Sequence, residues 1–202
     1  MKMIAASSAI FLVLAGAASA AGQLNTDPAA VTPGAYVVEP NHTRVQFAVS
    51  HIGFTQFFGD FTGAKGTLVL DPKNVATSKV DITLPVSSVS TTNATLDGEL
   101  KSADWFDAAT YPTIRFVSTK IVRTAPNKAT ITGELTMHGV TKPVELQASF
   151  NGSGVNPLDK AYTVGFDATA KLKRSDFGVK TYLPMIGDDT SIRISAAFEK
   201  AK

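Results

Sequence analysis

The sequence contains no cysteine. That excludes disulfides, thiol nucleophiles, thiolate metal sites, c-type haem attachment and anchoring through a lipidated cysteine. Histidine is scarce too, with three in 202 residues, and none forms a His-x-His or His-Glu-x-x-His spacing for a metal. An excess of one charge is also missing: 19 basic residues stand against 17 acidic ones, a formal net charge of +2. Such a balance excludes nucleic acid or an anionic membrane surface as the main electrostatic partner. Nucleophile-elbow Gly-x-Ser-x-Gly and phosphate-cradling Gly-rich loops are absent. The acidic pair Asp188-Asp189 is weak as a calcium signal, because two carboxylates do not make a coordination sphere. Neither a metal nor a cofactor is expected, and no residue is expected to be catalytic.

Long hydrophobic runs are limited to the beginning of the chain. Met1-Lys2-Met3 gives a short basic start, and an apolar run from Ile4 to Ala17 is broken only by Ser7 and Ser8. Ala18-Ser19-Ala20 closes it with the small-x-small pattern of a signal-peptidase site. A run of about 14 residues falls short of the roughly 20 that span a bilayer. Residues 1–20 therefore read as a cleaved signal peptide. Residues 21–34, with Pro28 and Pro33 and no apolar periodicity, read as a flexible leader. Residues 35–202 form one domain, long enough for a sizeable core.

What the domain does have is period-2 alternation, which sends successive side chains to opposite faces of a strand. Val45, Phe47 and Val49 alternate with Arg44, Gln46 and Ser50. Val80, Ile82 and Leu84 do the same, as do Ile131, Leu135 and Met137. The pattern continues through Val144–Phe150, Tyr162–Leu172 and Ile192–Phe198. Phe57–Leu70 is strand-like but carries Gly59, Gly63 and Gly66, which predict a bulge or sharp bend. Ile114–Val122 adds a further strand. Turn signals lie at Asp71-Pro72-Lys73-Asn74, Pro126-Asn127 and Asn151-Gly152-Ser153-Gly154. One segment breaks the alternation: Leu96, Leu100, Ala103 and Trp105 have near-helical spacing, so one or two short helices are expected between the third and fourth strands.

About eight long antiparallel strands, each with one apolar face, close naturally into a barrel. The outer faces carry Lys, Asp, Glu, Thr, Gln and Arg, too polar for the lipid-facing side of an outer-membrane barrel. The inside is therefore apolar, and no stable membrane insertion is expected. Ala48, Ala64, Gly133, Ala148, Ala168, Ala170 and Ala196 are read as inward, leaving room for a long apolar cavity. Twelve Phe could equally fill it, and composition does not separate the two. Among the histidines, His42 and His138 lie in turn-like contexts. His51 continues the Val45–Val49 face, either as a hydrogen-bonded core group or as a polar group at a cavity mouth.

Four stretches in order carry a resemblance to a known family. They are His42-Thr43-Arg44-Val45-Gln46-Phe47 running into His51-Ile52-Gly53-Phe54 and Gly59-Asp60-Phe61, and then Leu100–Asp107 with Tyr111-Pro112 and Phe116. Gly133–Thr136 with His138-Gly139-Val140-Thr141-Lys142-Pro143-Val144 comes next, then Arg174-Ser175-Asp176-Phe177-Gly178 with Gly187-Asp188-Asp189. Together, across residues 36–199, the chain resembles the YceI-like family of periplasmic polyisoprenoid-binding proteins. The resemblance implies an all-β, eight-stranded antiparallel, lipocalin-like barrel holding a long isoprenoid or fatty-acyl chain, in the periplasm and without catalytic residues. It places Trp105 and Phe106 as a partial cover.

The lining positions come from alternation: Phe47, Val49, His51, Phe61, Trp105, Phe116, Met137, Phe166 and Phe177. Arg174 is expected either at a phosphate or carboxylate head group or in a surface salt bridge. Two other functions compete with lipid binding. One is an enzyme of small apolar substrates using His51 with Asp104 or Asp176, and the other is a stress-protection protein with a filled barrel. No nucleic-acid partner is expected, and an exposed edge at the Gly-rich second strand permits a homodimer.

Overall fold

The computed structural model describes residues 24–202, so the expected signal peptide lies outside the described residues. Nine strand segments follow in order: β1 (Gly34–His51), β2 (Thr55–Phe61), β3 (Lys65–Leu70), β4 (Lys79–Pro85), β5 (Thr113–Ala125), β6 (Lys128–Met137), β7 (Val140–Val155), β8 (Tyr162–Lys173) and β9 (Ile186–Lys200). All pairings are antiparallel. β2 and β3 lie one after the other along β1, β2 against Val45–His51 and β3 against Gly34–Val37. They are two halves of one barrel strand, interrupted at residues 62–64. β9 returns to pair with β1 along most of its length and closes an eight-stranded barrel.

The break falls where the glycines predicted a bend. At Gly66 (φ 144°) a Cβ would lie 2.0 Å from the Asp81 carbonyl oxygen, so only glycine lets β3 approach β4 this closely. In β1 a register shift between Glu39 and Arg44 changes which parity faces inward, so Tyr36 and Val38 precede it and Thr43, Val45 and Phe47 follow. Ala48, expected inward, has the parity of Gln46 and Ser50 and belongs to the outer face. A three-residue turn, Ile52-Gly53-Phe54, joins β1 to β2 and a two-residue turn, His138-Gly139, joins β6 to β7; Ile52, Gly53, His138 and Gly139 all have positive φ.

Two expectations are corrected. Asn151–Gly154, read as a turn, lies inside β7, and its glycine has a packing role. A Cβ at Gly152 would stand 2.5 Å from Leu24, and Asn25 exchanges two backbone hydrogen bonds of 2.8 Å with Ser153. The bare backbone at Gly152 is thus a seat for the N-terminal segment.

For the same reason residues 24–33, expected as a flexible leader, are docked. Asp27 caps a 3-10 turn at Pro28–Ala30, and Val31 is buried in the core. The Tyr162 hydroxyl accepts from the Thr32 amide, and the buried Tyr36 hydroxyl donates to the Thr32 carbonyl. This is the leader end of the barrel.

The opposite, helix end holds α1 (Ala94–Lys101) between β4 and β5, where a helix was expected. Asn93 caps it by accepting from the amides of Thr95 and Leu96, and Asp97 accepts from the Thr91 amide and hydroxyl. The helix ends at Lys101, so Trp105 and Phe106 stand on the turn that follows. A 3-10 turn at Val86–Ser88 is the only other helical element between β4 and β5.

Candidate functional site: a two-chambered apolar interior

Inward alternation around the ring leaves an internal cavity in two chambers. The main one, about 270 Å³, runs from the middle of the barrel to the leader end. Val45, Leu68, Ile82, Phe116, Leu135 and Phe166 line it, with Ala64, Ala129, Ala148, Ala168, Ala170 and Ala196 as the small residues that keep it open. Pro28 and Val31 of the docked leader, with Pro72 and Val75 of the β3–β4 loop, form its floor. A second chamber of about 260 Å³ lies beneath α1. The two share Phe47, Phe61, Met137, Leu172 and Ile192 as walls and therefore meet at a waist. Phe47 and Phe61 stand 5.7 Å apart there, and Phe106 meets Phe61 edge-on at 5.5 Å.

The phenylalanines build walls instead of a plug. Phe47 and Phe116 each lie across a cross-strand glycine. A Cβ at Gly59 would stand 2.2 Å from Phe47 Cζ, and one at Gly133 would stand 2.4 Å from Phe116 Cζ. Each glycine lets a ring lie flat along the sheet, not across the bore. Phe150, Phe166 and Phe198 pack in sequence at 5.6 and 6.1 Å on another side. The barrel is not filled, so the reading of a ligand-free stress protein with a filled barrel has no footing here.

Polar groups gather at the helix end. Arg174 is buried, and its guanidinium donates to four backbone carbonyls: Gly187 from Nε at 2.9 Å, Val179 from Nη1 at 3.1 Å, and Thr181 and Ile186 from Nη2 at 2.9 and 2.8 Å. Its face lies 5.4 Å from the Trp105 ring centroid. Burial draws its pKa down, partly offset by the Asp188 carboxylate. Among the described residues Arg174 forms no surface salt bridge, and four of its five N–H groups are spent on the loop after β8 and the start of β9. Its observed work is to staple residues 179–187 across the barrel end. The Thr181 hydroxyl fastens the same loop to the Asp104 carbonyl, and Tyr182 packs on Trp105 at 6.0 Å. Trp105 Nε1 donates to Glu99 Oε1 at 3.2 Å. Among the described residues every fully buried side-chain nitrogen and oxygen has a partner.

The structure brings nine of the ten expected residues to the cavity. Phe116 and Phe166 line the main chamber, and Val49, His51, Trp105 and Arg174 line the second. Phe47, Phe61 and Met137 border both. Phe177 lines neither. It is buried in the 3-10 turn Arg174–Phe177, where its carbonyl meets His138 Nδ1 at 3.0 Å. His51 is exposed at the rim beside Phe57, at the mouth and not in the core. Neither Asp104 nor Asp176 lines its chamber, and no hydrogen bond joins either to it.

Alternation alone could have added Leu172 and Ile192. Nothing in the sequence pattern marked Val31, Val179 or Tyr182, which come from irregular segments.

Comparisons with known proteins agree with this geometry. The YceI-like domain profile matches residues 36–198. Protein YceI of Escherichia coli O157:H7 is 38% identical over 157 residues, spanning 78% of this chain and 81% of that protein. The crystal structure of Burkholderia cenocepacia BcnA superposes with a TM-score of 0.72 at 26% identity, covering 79% of this chain and 98% of that one. A polyisoprenoid-binding domain from Saccharophagus degradans shares the fold, with a TM-score of 0.61, 15% identity and coverage of 82% and 98%. A closed eight-stranded barrel, a helix-covered end and a profile match along nearly the whole barrel make this chain a member of the YceI-like family.

Proposed function

We propose that the protein is an exported lipid-binding protein that holds one long isoprenoid or fatty-acyl chain inside the barrel. The observation that carries this reading is the two-chambered interior: apolar walls, a bore lined by six alanines, and, among the described residues, no unpartnered fully buried side-chain polar atom. Burying a methylene is worth about 0.8 kcal/mol, so ten methylenes in the bore supply about 8 kcal/mol before the costs of association. Shape and apolar area, not a fixed charge, therefore do the binding. The family relation and the polyisoprenoid-binding activity in the name of the Saccharophagus domain support an isoprenoid as cargo. Binding in place of catalysis is supported by His51, which stands at the mouth without a carboxylate to orient it.

The basic, apolar and small-x-small features of residues 1–20 support export and release into the periplasm, where a water-rejected chain needs a carrier. Sequencing the N-terminus of the exported protein is expected to start at Ala21. Organic extraction of the purified protein followed by mass spectrometry is expected to yield a long-chain lipid in near-equimolar amount. Protein that is lipid-free and also refuses isoprenoid quinones and fatty acids would sink the proposal.

A further inference from the structure

The helix end carries a group of exposed apolar side chains that the interior does not account for. Phe54 is 84% exposed at the tip of the β1–β2 hairpin, with Ile52 beside it and Phe58 on the outer face of β2. Tyr182 and Met185, each more than half exposed, belong to the loop that Arg174 staples. The two segments touch directly, since the Ile52 amide donates to the Met185 carbonyl at 2.8 Å. This is a rim as well as a patch, because His51, Phe57, Tyr182 and Ile186 line the second chamber.

Two of these residues are held in a conformation that disfavours them. Ile52 has φ 54° and Tyr182 has φ 59°, the left-handed region where a β-branched residue is an outlier and Asn or Gly is preferred. Both occur at one mouth, on segments that the Ile52–Met185 hydrogen bond joins, the kind of strain that clusters at functional sites. The two segments that carry the patch differ in charge from α1, whose exposed Glu99 lines the same chamber. Residues 51–58 and 178–187 contain no acidic side chain, and their only ionisable cationic groups are His51 and Lys180. At the leader end Leu158 is 90% exposed, but it lines no chamber.

We infer that this rim docks transiently on a phospholipid bilayer, so that a lipid chain passes between the bilayer and the second chamber without crossing water. The inference rests on the lipid-binding reading above. The occupant is a bilayer because the exposed apolar patch is continuous with the mouth of an apolar cavity, and the two segments that carry the patch bear no carboxylate to repel anionic head groups. Attachment comes from the inserted side chains, not from the near-neutral net charge, so it is reversible.

The test is flotation of the full exported chain with phosphatidylethanolamine–phosphatidylglycerol vesicles. Removing one inserted aromatic or aliphatic side chain is expected to weaken partitioning about tenfold, so Phe54→Ser and Ile52→Asn each lose that much. Ile52→Asn suits the left-handed backbone and keeps the hairpin folded, while Leu158→Ser at the other end leaves flotation unchanged. The lipid content of freshly purified Phe54→Ser stays as in the wild type. Wild-type protein that does not float, or Phe54→Ser that floats equally well, overturns the inference. So does a wild-type dimer in sedimentation that Phe54→Ser dissociates, which would give the rim to a second copy. If wild-type protein floats in a Phe54-dependent way yet carries and accepts no lipid, docking stands and the lipid-binding reading fails instead.

Discussion

The two ends of the barrel close in different ways. At the leader end an irregular segment lies across the bore on a few scattered contacts: Asn25 on Ser153, Leu24 on the bare face of Gly152, Thr32 between the Tyr36 and Tyr162 hydroxyls, and Val31 as the one deeply buried side chain. At the helix end a single buried cation ties two carbonyls of the loop after β8 to two at the start of β9, and that loop is fastened to the turn after α1 through Thr181, Tyr182 and Trp105. One closure is a strap with few anchors, and the other is a stapled cap with an apolar rim. The same barrel thus has a lightly anchored end and a densely anchored one, and local stability is expected to follow that difference in buried contacts and satisfied polar groups.

Replacing Arg174 breaks the contrast most severely. Arg174→Met would strand four carbonyls in a buried position, and a loss of about 3 kcal/mol or more is expected in urea unfolding. Arg174→Lys recovers little, because an ammonium cannot reach four divergent acceptors. The bore is next: Ala168→Phe, facing Ala148 across β7 and β8, is expected to cut bound lipid at least about tenfold with no more than about 1 kcal/mol lost in the lipid-free protein. At the strap, Val31→Asp gives up one buried side chain and releases a segment that has few other contacts. A loss of about 1.5 kcal/mol is expected, with faster release of a fluorescent fatty acid.

The smallest effect is a pH dependence at the leader end. Burial first, then the neighbouring Tyr162 hydroxyl, pushes the Tyr36 phenol up to about 12 from the ordinary 10. The folded state therefore holds this proton more tightly than the unfolded one, so its contribution is complete below pH 10 and fades as pH rises toward 12. Tyr36→Phe is expected to flatten that decline in thermal unfolding.

The barrel was legible because alternation is a strong signal wherever one sheet face is dry. Phe47, Val49, Met137 and Phe166 could be placed from parity alone. Ala48 was misplaced by ignoring that parity, since it sits between two inward residues. The N-terminal strap was illegible because it has no period: its docking depends on a missing side chain at Gly152, more than a hundred residues away. Asn151–Gly154 was misread for the same reason, since a glycine pair that resembles a turn is here a strand face cleared for another segment. Arg174 was legible as special but not in its role. A sequence shows a cation, while the carbonyls that absorb it belong to a loop whose course depends on the cation itself.

The account turns on whether the bore holds one chain, and native mass spectrometry of the purified protein tests this most directly. Wild-type protein is expected to carry a single lipid-sized mass increment per chain that vanishes in Ala168→Phe. An increment that persists unchanged in Ala168→Phe, or its absence from wild-type protein supplied with isoprenoid and fatty-acyl lipids, would contradict the account.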